Sequence, residues 1–122
     1  MKTRYLVLAL CVAVLCLCSY SGAQSGKTVR VLITSSRANG SARPETIDTF
    51  LKRCPEVTVT SERERADYTM VHDDTGAGMG RNPQKIAVFN KAGDVIHSSS
   101  AKTVKGAVDA ACRAIREDVK KH

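Results

Sequence analysis

From Val29 onward the apolar residues follow two different spacings, and the switches between them mark out the elements. Val29-Arg30-Val31-Leu32-Ile33-Thr34 is β-branched and almost wholly apolar, which predicts a strand buried on both faces. Turn formers follow from Ser35 to Ser41. Ile47, Phe50, Leu51 and Cys54 then fall at i, i+3, i+4 and i+7, the apolar stripe of a helix that Pro44 can open. Pro55 ends that helix at Cys54, and Lys52 and Arg53 suit its last turn. The period returns to two at Val57-Thr58-Val59-Thr60, a second strand.

Ser61 to Ala66 has room for one helical turn, with Ser61 and Glu64 in the spacing of a capping box. Tyr68 to His72 reads as the third strand, and Asp73 to Pro83 as a glycine-rich loop. Lys85–Phe89 and Val95–Ser98 flank Asn90-Lys91-Ala92-Gly93-Asp94, which predicts a hairpin with Gly93 at positive φ. The last helix is expected from about Ala101 to Lys120, with Ser98-Ser99-Ser100 supplying its cap. Val104, Val108, Ala111, Cys112, Ile115 and Val119 form its stripe. Gly106 weakens it by up to about 1 kcal/mol unless close packing requires a bare backbone.

The order β-α-β-β-β-β-α predicts an α+β fold. A single two-layer domain would hold a mixed sheet, with two helices packed on one face. No internal repeat or second-domain boundary interrupts it.

The N-terminal residues follow another pattern. Lys2 and Arg4 precede an unbroken apolar run of thirteen residues, Leu6–Cys18, and Ser21-Gly22-Ala23 places small residues before Gln24. This is the layout of a secretory signal peptide over residues 1–23, leaving residues 24–122 as one exported domain. The run is short of the roughly 20 residues that span a bilayer. Lipidation at Cys16 or Cys18 is the competing reading, although Leu15 and Leu17 precede them where a small residue is needed. Membrane contact is expected only through an uncleaved or lipidated N-terminus. The destination would be the periplasm or the medium.

Cleavage would change both the charge and the cysteine count. The whole chain carries 19 basic and 12 acidic residues, +7. Losing Lys2 and Arg4 leaves 17 against 12, or +5. Of five cysteines only Cys54 and Cys112 remain, and two cysteines have one intramolecular pairing. A Cys54–Cys112 disulfide is the expectation in an exported chain, worth about 4 kcal/mol for a loop of this length. Buried free thiols or pairing between chains are the alternatives.

Candidate chemistry is sparse. His72 and Asp74, two apart on one strand, share a face and offer metal-ligand types, and His97 would complete a set if it were adjacent. Thr75-Gly76-Ala77-Gly78-Met79-Gly80-Arg81 misses the dinucleotide fingerprint by one position, and Pro83 and a strand follow it instead of a helix. His97 beside Ser98-Ser99-Ser100 places nucleophile and base types on opposite faces of a strand, with no nucleophile elbow. Asn39-Gly40-Ser41 has the form of a glycosylation sequon. The basic residues are scattered, and Phe50, Tyr68 and Phe89 are the only aromatics beyond residue 23, so no nucleic-acid surface is expected.

The first strand, the helix closing on Cys54-Pro55, Val57-Thr58-Val59-Thr60 and the Ala66-Asp67-Tyr68 entry to a strand together resemble small exported bacterial proteins of unknown function. The glycine-rich loop, the hairpin from Val88-Phe89-Asn90 to Gly93-Asp94-Val95, and Cys112 in the last helix extend that resemblance over most of residues 29–116. More distantly, the first half is similar to periplasmic domains of the curli-secretion lipoprotein and penicillin-binding-protein activator type. The resemblance implies an exported domain and carries no catalytic residues.

The sequence therefore predicts a non-catalytic binding or accessory protein of the cell envelope. It is expected to be monomeric and to act without a cofactor or resident metal, with an envelope component or protein as partner. A small metal-binding protein or metal-assisted hydrolase built on His72, Asp74 and His97 is the alternative.

Overall fold

The computed structural model describes residues 28–36, 40–73 and 83–122. Residues 1–23, where the sequence predicts a signal peptide, Asn39 of the sequon, Asp74 and the glycine-rich run of residues 75–81 lie outside the described residues. The strands are β1 (Val29–Ser35), β2 (Val57–Thr60), β3 (Tyr68–Asp73), β4 (Gln84–Asn90) and β5 (Val95–Ala101). The helices are α1 (Pro44–Arg53) and α2 (Val104–Val119), and a 3₁₀ turn covers Arg63–Arg65.

The five strands form one mixed sheet in the order β2-β1-β3-β4-β5. β1 runs parallel to β2, as their strand–helix–strand connection requires, and also to β3, while β3–β4 and β4–β5 are antiparallel. The predicted α+β class and element order hold.

Register explains where the core lies. Ile33 pairs with Met70, Met70 with Val88, and Val88 with His97, so these residues share one face. Both helices pack there. Phe50 and Cys54 from α1, and Val108, Cys112 and Ile115 from α2, close over Val31, Met70 and Val88, all at or near zero exposure. Leu32 points to the opposite face yet is only 8% exposed, because its strand has a neighbour on each side. The double-sided burial expected for β1 is therefore confined to its centre.

α1 starts at Pro44 and stops where the sequence predicts: the Cys54 N–H donates to the Phe50 carbonyl at 2.8 Å, and Pro55 follows. The hairpin turn is also as expected, with Gly93 at φ 91° and the Asn90 side chain accepting from the Asp94 N–H at 2.9 Å.

Three local expectations fail. Ser98, Ser99 and Ser100 do not cap α2. They continue β5 to Ala101, and Thr103 is the cap, its hydroxyl accepting from the Gly106 N–H at 3.0 Å. The Ser61–Glu64 box does not form either: Glu62 caps the 3₁₀ turn without a side-chain bond, and its N–H goes to the Thr60 hydroxyl. Leu51 and Val119, placed on core stripes by spacing, are 47% and 41% exposed. The first lies near the end of a short helix, and the second is the last residue of α2. At Gly106 a Cβ would stand 3.3 Å from the Thr103 hydroxyl and 3.4 Å from the Ala101 Cβ, so the bare backbone there has a packing reason.

Candidate binding surface

The face of the sheet away from the helices carries the other half of each strand's alternation. By register it presents Arg30, Leu32 and Thr34 on β1, Thr69 and Val71 on β3, and Ala87 and Phe89 on β4. Among the described residues no helix covers this face. A groove of about 510 Å³ runs along it, with Thr34, Thr69, Val71 and Phe89 among the residues that line it. One wall is the 3₁₀ segment, with Arg63 and Glu64. The other is the β4–β5 turn, with Lys91.

The walls are held by bonds that the sequence does not announce. The Arg30 N–H donates to Asp67 Oδ2 at 3.0 Å, and the Asp67 N–H donates back to the Arg30 carbonyl at 2.8 Å. Asp67 thus ties the end of the 3₁₀ segment to β1. The next residue, Tyr68, points to the core side and donates its hydroxyl to Asp118 of α2 at 2.9 Å. Burial first, then the bond to Asp118 and its charge, push the Tyr68 phenol up to about 12.

The histidines lie elsewhere. His72 is buried under α1. Its Nε2 lies 2.8 Å from Gln84 Oε1 and its Nδ1 3.2 Å from the hydroxyl of buried Thr46. Gln84 Oε1 can only accept, so Nε2 carries the proton and, in the neutral ring, the Thr46 hydroxyl donates to Nδ1. His97 is on β5, bonded to Ser99 at 3.0 Å. β4 runs between β3 and β5, so the strands carrying the two histidines are about 9–10 Å apart. Their registers also differ by one alternation, His72 aligning with Ile86 and Ser99 while His97 aligns with Val88. The structure does not bring them together.

The two cysteines do meet. Cys54 at the end of α1 and Cys112 midway along α2 form a disulfide with their Cα atoms 5.9 Å apart, and both are buried. Glu56 Oε1 lies 3.8 Å from each sulfur and is paired with Arg116 Nε. The hydrogen bond from Arg116 is the main reason the Glu56 carboxyl sits below the usual range, with burial opposing it. Cys54, Glu56 and Cys112 have ligand atoms within 4.8 Å of one another. Sulfurs bonded to each other offer no thiolate to a metal, so the oxidised cluster is structural. Beside it Arg53 donates through Nε and Nη2 to the two carboxylate oxygens of Asp109, at 2.7 and 2.8 Å. That bond lowers the Asp109 carboxyl in turn.

Sequence reasoning missed the groove and the Thr46–His72–Gln84 chain. The alternation of Thr69, Val71, Ala87 and Phe89 held a signal for the first, since it predicts a second, partly apolar face. No helix among the described residues is long and apolar enough to cross a membrane. No protein-family model matches the chain, and no curated protein gives a significant match.

Proposed function

We propose that this protein is a non-catalytic binding or accessory domain of an exported, oxidising compartment, the cell envelope or its surroundings. It would recognise a segment of a partner protein across the uncovered face of its sheet. The observation that carries this reading is the groove over Thr69, Val71 and Phe89: a partly apolar floor between walls that bear both signs of charge, Arg63 and Lys91 against Glu64 and Asp67. A floor of this kind contributes buried area, and a mixed-sign rim selects orientation. A polyanion would call for clustered cations with stacking aromatics, which this rim lacks. The Cys54–Cys112 disulfide supports the compartment, because such bonds persist where thiols are oxidised. The signal-peptide layout of residues 1–23 supports export independently.

Affinity capture from an envelope extract tests the reading with three forms: the wild type, Val71→Lys on the open face, and Leu51→Lys on the exposed side of α1. The expected result is a specific protein retained by the wild type and by Leu51→Lys and lost from Val71→Lys. Failure to retain any specific protein overturns the reading, as does equal capture by all three forms.

A further inference from the structure

The sheet has two edges, and they differ. β2 is four residues long, and a short edge strand is one of the ordinary ways of preventing edge-to-edge pairing. β5 is seven residues long and, among the described residues, pairs only with β4. Val95-Ile96-His97-Ser98-Ser99-Ser100-Ala101 contains no proline and no Lys, Arg, Asp or Glu. One irregularity, between Val88 and Phe89 opposite Ile96, lies at its beginning, and the ladder is regular from His97 to Ala101. Val95, large and apolar, is 57% exposed. Among the described residues, no strand pairs with the outer side of this edge.

The charges that do exist sit at the two ends. Asp94 precedes the strand and Lys102 follows it, both exposed. Antiparallel pairing of two such strands sets the Asp94 end of each beside the Lys102 end of the other, whereas parallel pairing would set like beside like. We propose that the protein forms a two-fold dimer through β5, with two copies pairing antiparallel about Ser98 into one continuous sheet. Across the axis Ser98 faces Ser98, and His97 of each copy faces Ser99 of the other. Small uncharged side chains therefore meet at the centre and opposite charges at the rim.

The helix layer is compatible with the same axis. With the two-fold perpendicular to the sheet, both α2 helices lie on one side of it and run antiparallel to each other. The flank of α2 nearest β5 carries Arg113 and Glu117, with Lys121 just past the helix end, and all three line a groove of about 410 Å³ with Ile96 and His97. Signs alternate along this row at one-turn spacing, so an antiparallel copy can set Arg113 against Glu117. The proposed dimer departs from the monomer expected from the sequence alone. This edge is separate from the groove on the open face, so the dimer stands or falls independently of the proposed function.

Sedimentation equilibrium of the exported, oxidised protein over a micromolar to millimolar range tests it. The expected result is a reversible monomer–dimer equilibrium. Ser98→Lys sets lysine against lysine at the axis and should move the midpoint to a concentration at least about tenfold higher. Asp94→Lys should weaken the dimer, and adding Lys102→Asp should restore it, a rescue that a merely structural effect of either change would not give. Far-ultraviolet circular dichroism identical to wild type confirms that each variant is folded. A wild-type protein monomeric throughout that range overturns the proposal. So does a dimer indifferent to Ser98→Lys, or one lost to Val71→Lys on the open face instead.

Discussion

Arg30 and Asp67 exchange two hydrogen bonds. The Arg30 N–H donates to the Asp67 carboxylate at 3.0 Å, and the Asp67 N–H donates to the Arg30 carbonyl at 2.8 Å. A side chain here occupies the place where the next rung of the β1–β3 ladder would be, since the paired register begins at Val31 and Tyr68. The Ala-Asp-Tyr run thus has three physical jobs in succession. Ala66 is buried, Asp67 binds the neighbouring backbone, and Tyr68 reaches α2.

Asp67→Ala removes the acceptor of the Arg30 N–H near the surface, where water can replace it in part. The expected loss is about 0.5–1.5 kcal/mol in chemical denaturation. Asp67→Asn keeps an acceptor oxygen and should recover most of that loss. Equal losses in the two variants would show that the charge of Asp67, and not its acceptor, does the work.

The Cys54–Cys112 disulfide closes a loop whose ends are 58 residues apart. The chain-entropy relation assigns it about 4 kcal/mol. Replacing both cysteines by alanine should cost at least that much, since two buried side chains also shrink. Intact mass should rise by two hydrogens on reduction, and a count of two free thiols in the native protein would contradict the bond.

Tyr68 makes stability depend on pH at the alkaline end. An unfolded tyrosine ionises near 10, and in the folded protein the group is raised to about 12. A raised pKa means that the neutral phenol is favoured by folding. Its contribution is therefore complete below pH 10 and is lost as pH rises toward 12. Denaturant midpoints should fall across that window for the wild type, and less steeply for Tyr68→Phe. The acid limb has the opposite sign. Glu56 and Asp109 are held below their usual range by Arg116 and Arg53, so their stabilisation is present at neutral pH and is lost as pH falls through the folded values.

Thr46 and His72 test the buried polar chain under α1. Thr46→Val keeps the shape and removes the hydroxyl that faces Nδ1, leaving a buried nitrogen without its partner. The expected cost is about 1–3 kcal/mol. Thr46→Ser should cost much less. Nitrogen shifts of the wild-type ring should report the proton on Nε2, and a proton on Nδ1 at neutral pH would reverse the assignment.

The element order was legible because period two and period 3.6 separate cleanly at Cys54-Pro55 and again near Ala66. Cys54 and Cys112 were legible because they are the only two of the five cysteines beyond residue 23. The start of α2 was not: Ser98-Ser99-Ser100 looks like a cap in isolation, and only pairing with Ala87, Ile86 and Lys85 makes it strand. Burial at Leu51 and Val119 failed for a related reason, since spacing places a residue on a stripe and does not say what packs on it near a helix end. The groove depends on which strands become neighbours. That relationship joins Thr34, Val71 and Phe89 across more than fifty residues of chain, and no local pattern encodes it.

The place of β1 in the sheet also bears on the order in which the chain can assemble as it is synthesised. β1 comes out before every other strand, yet its register partners begin at Val57 and Tyr68, so it waits for much of the chain without a ladder. The β4–β5 hairpin closes over a short turn and needs nothing else to begin. A growing chain therefore leaves Val29–Ser35, its most apolar strand, unpaired longest, and this segment has the most time to pair wrongly.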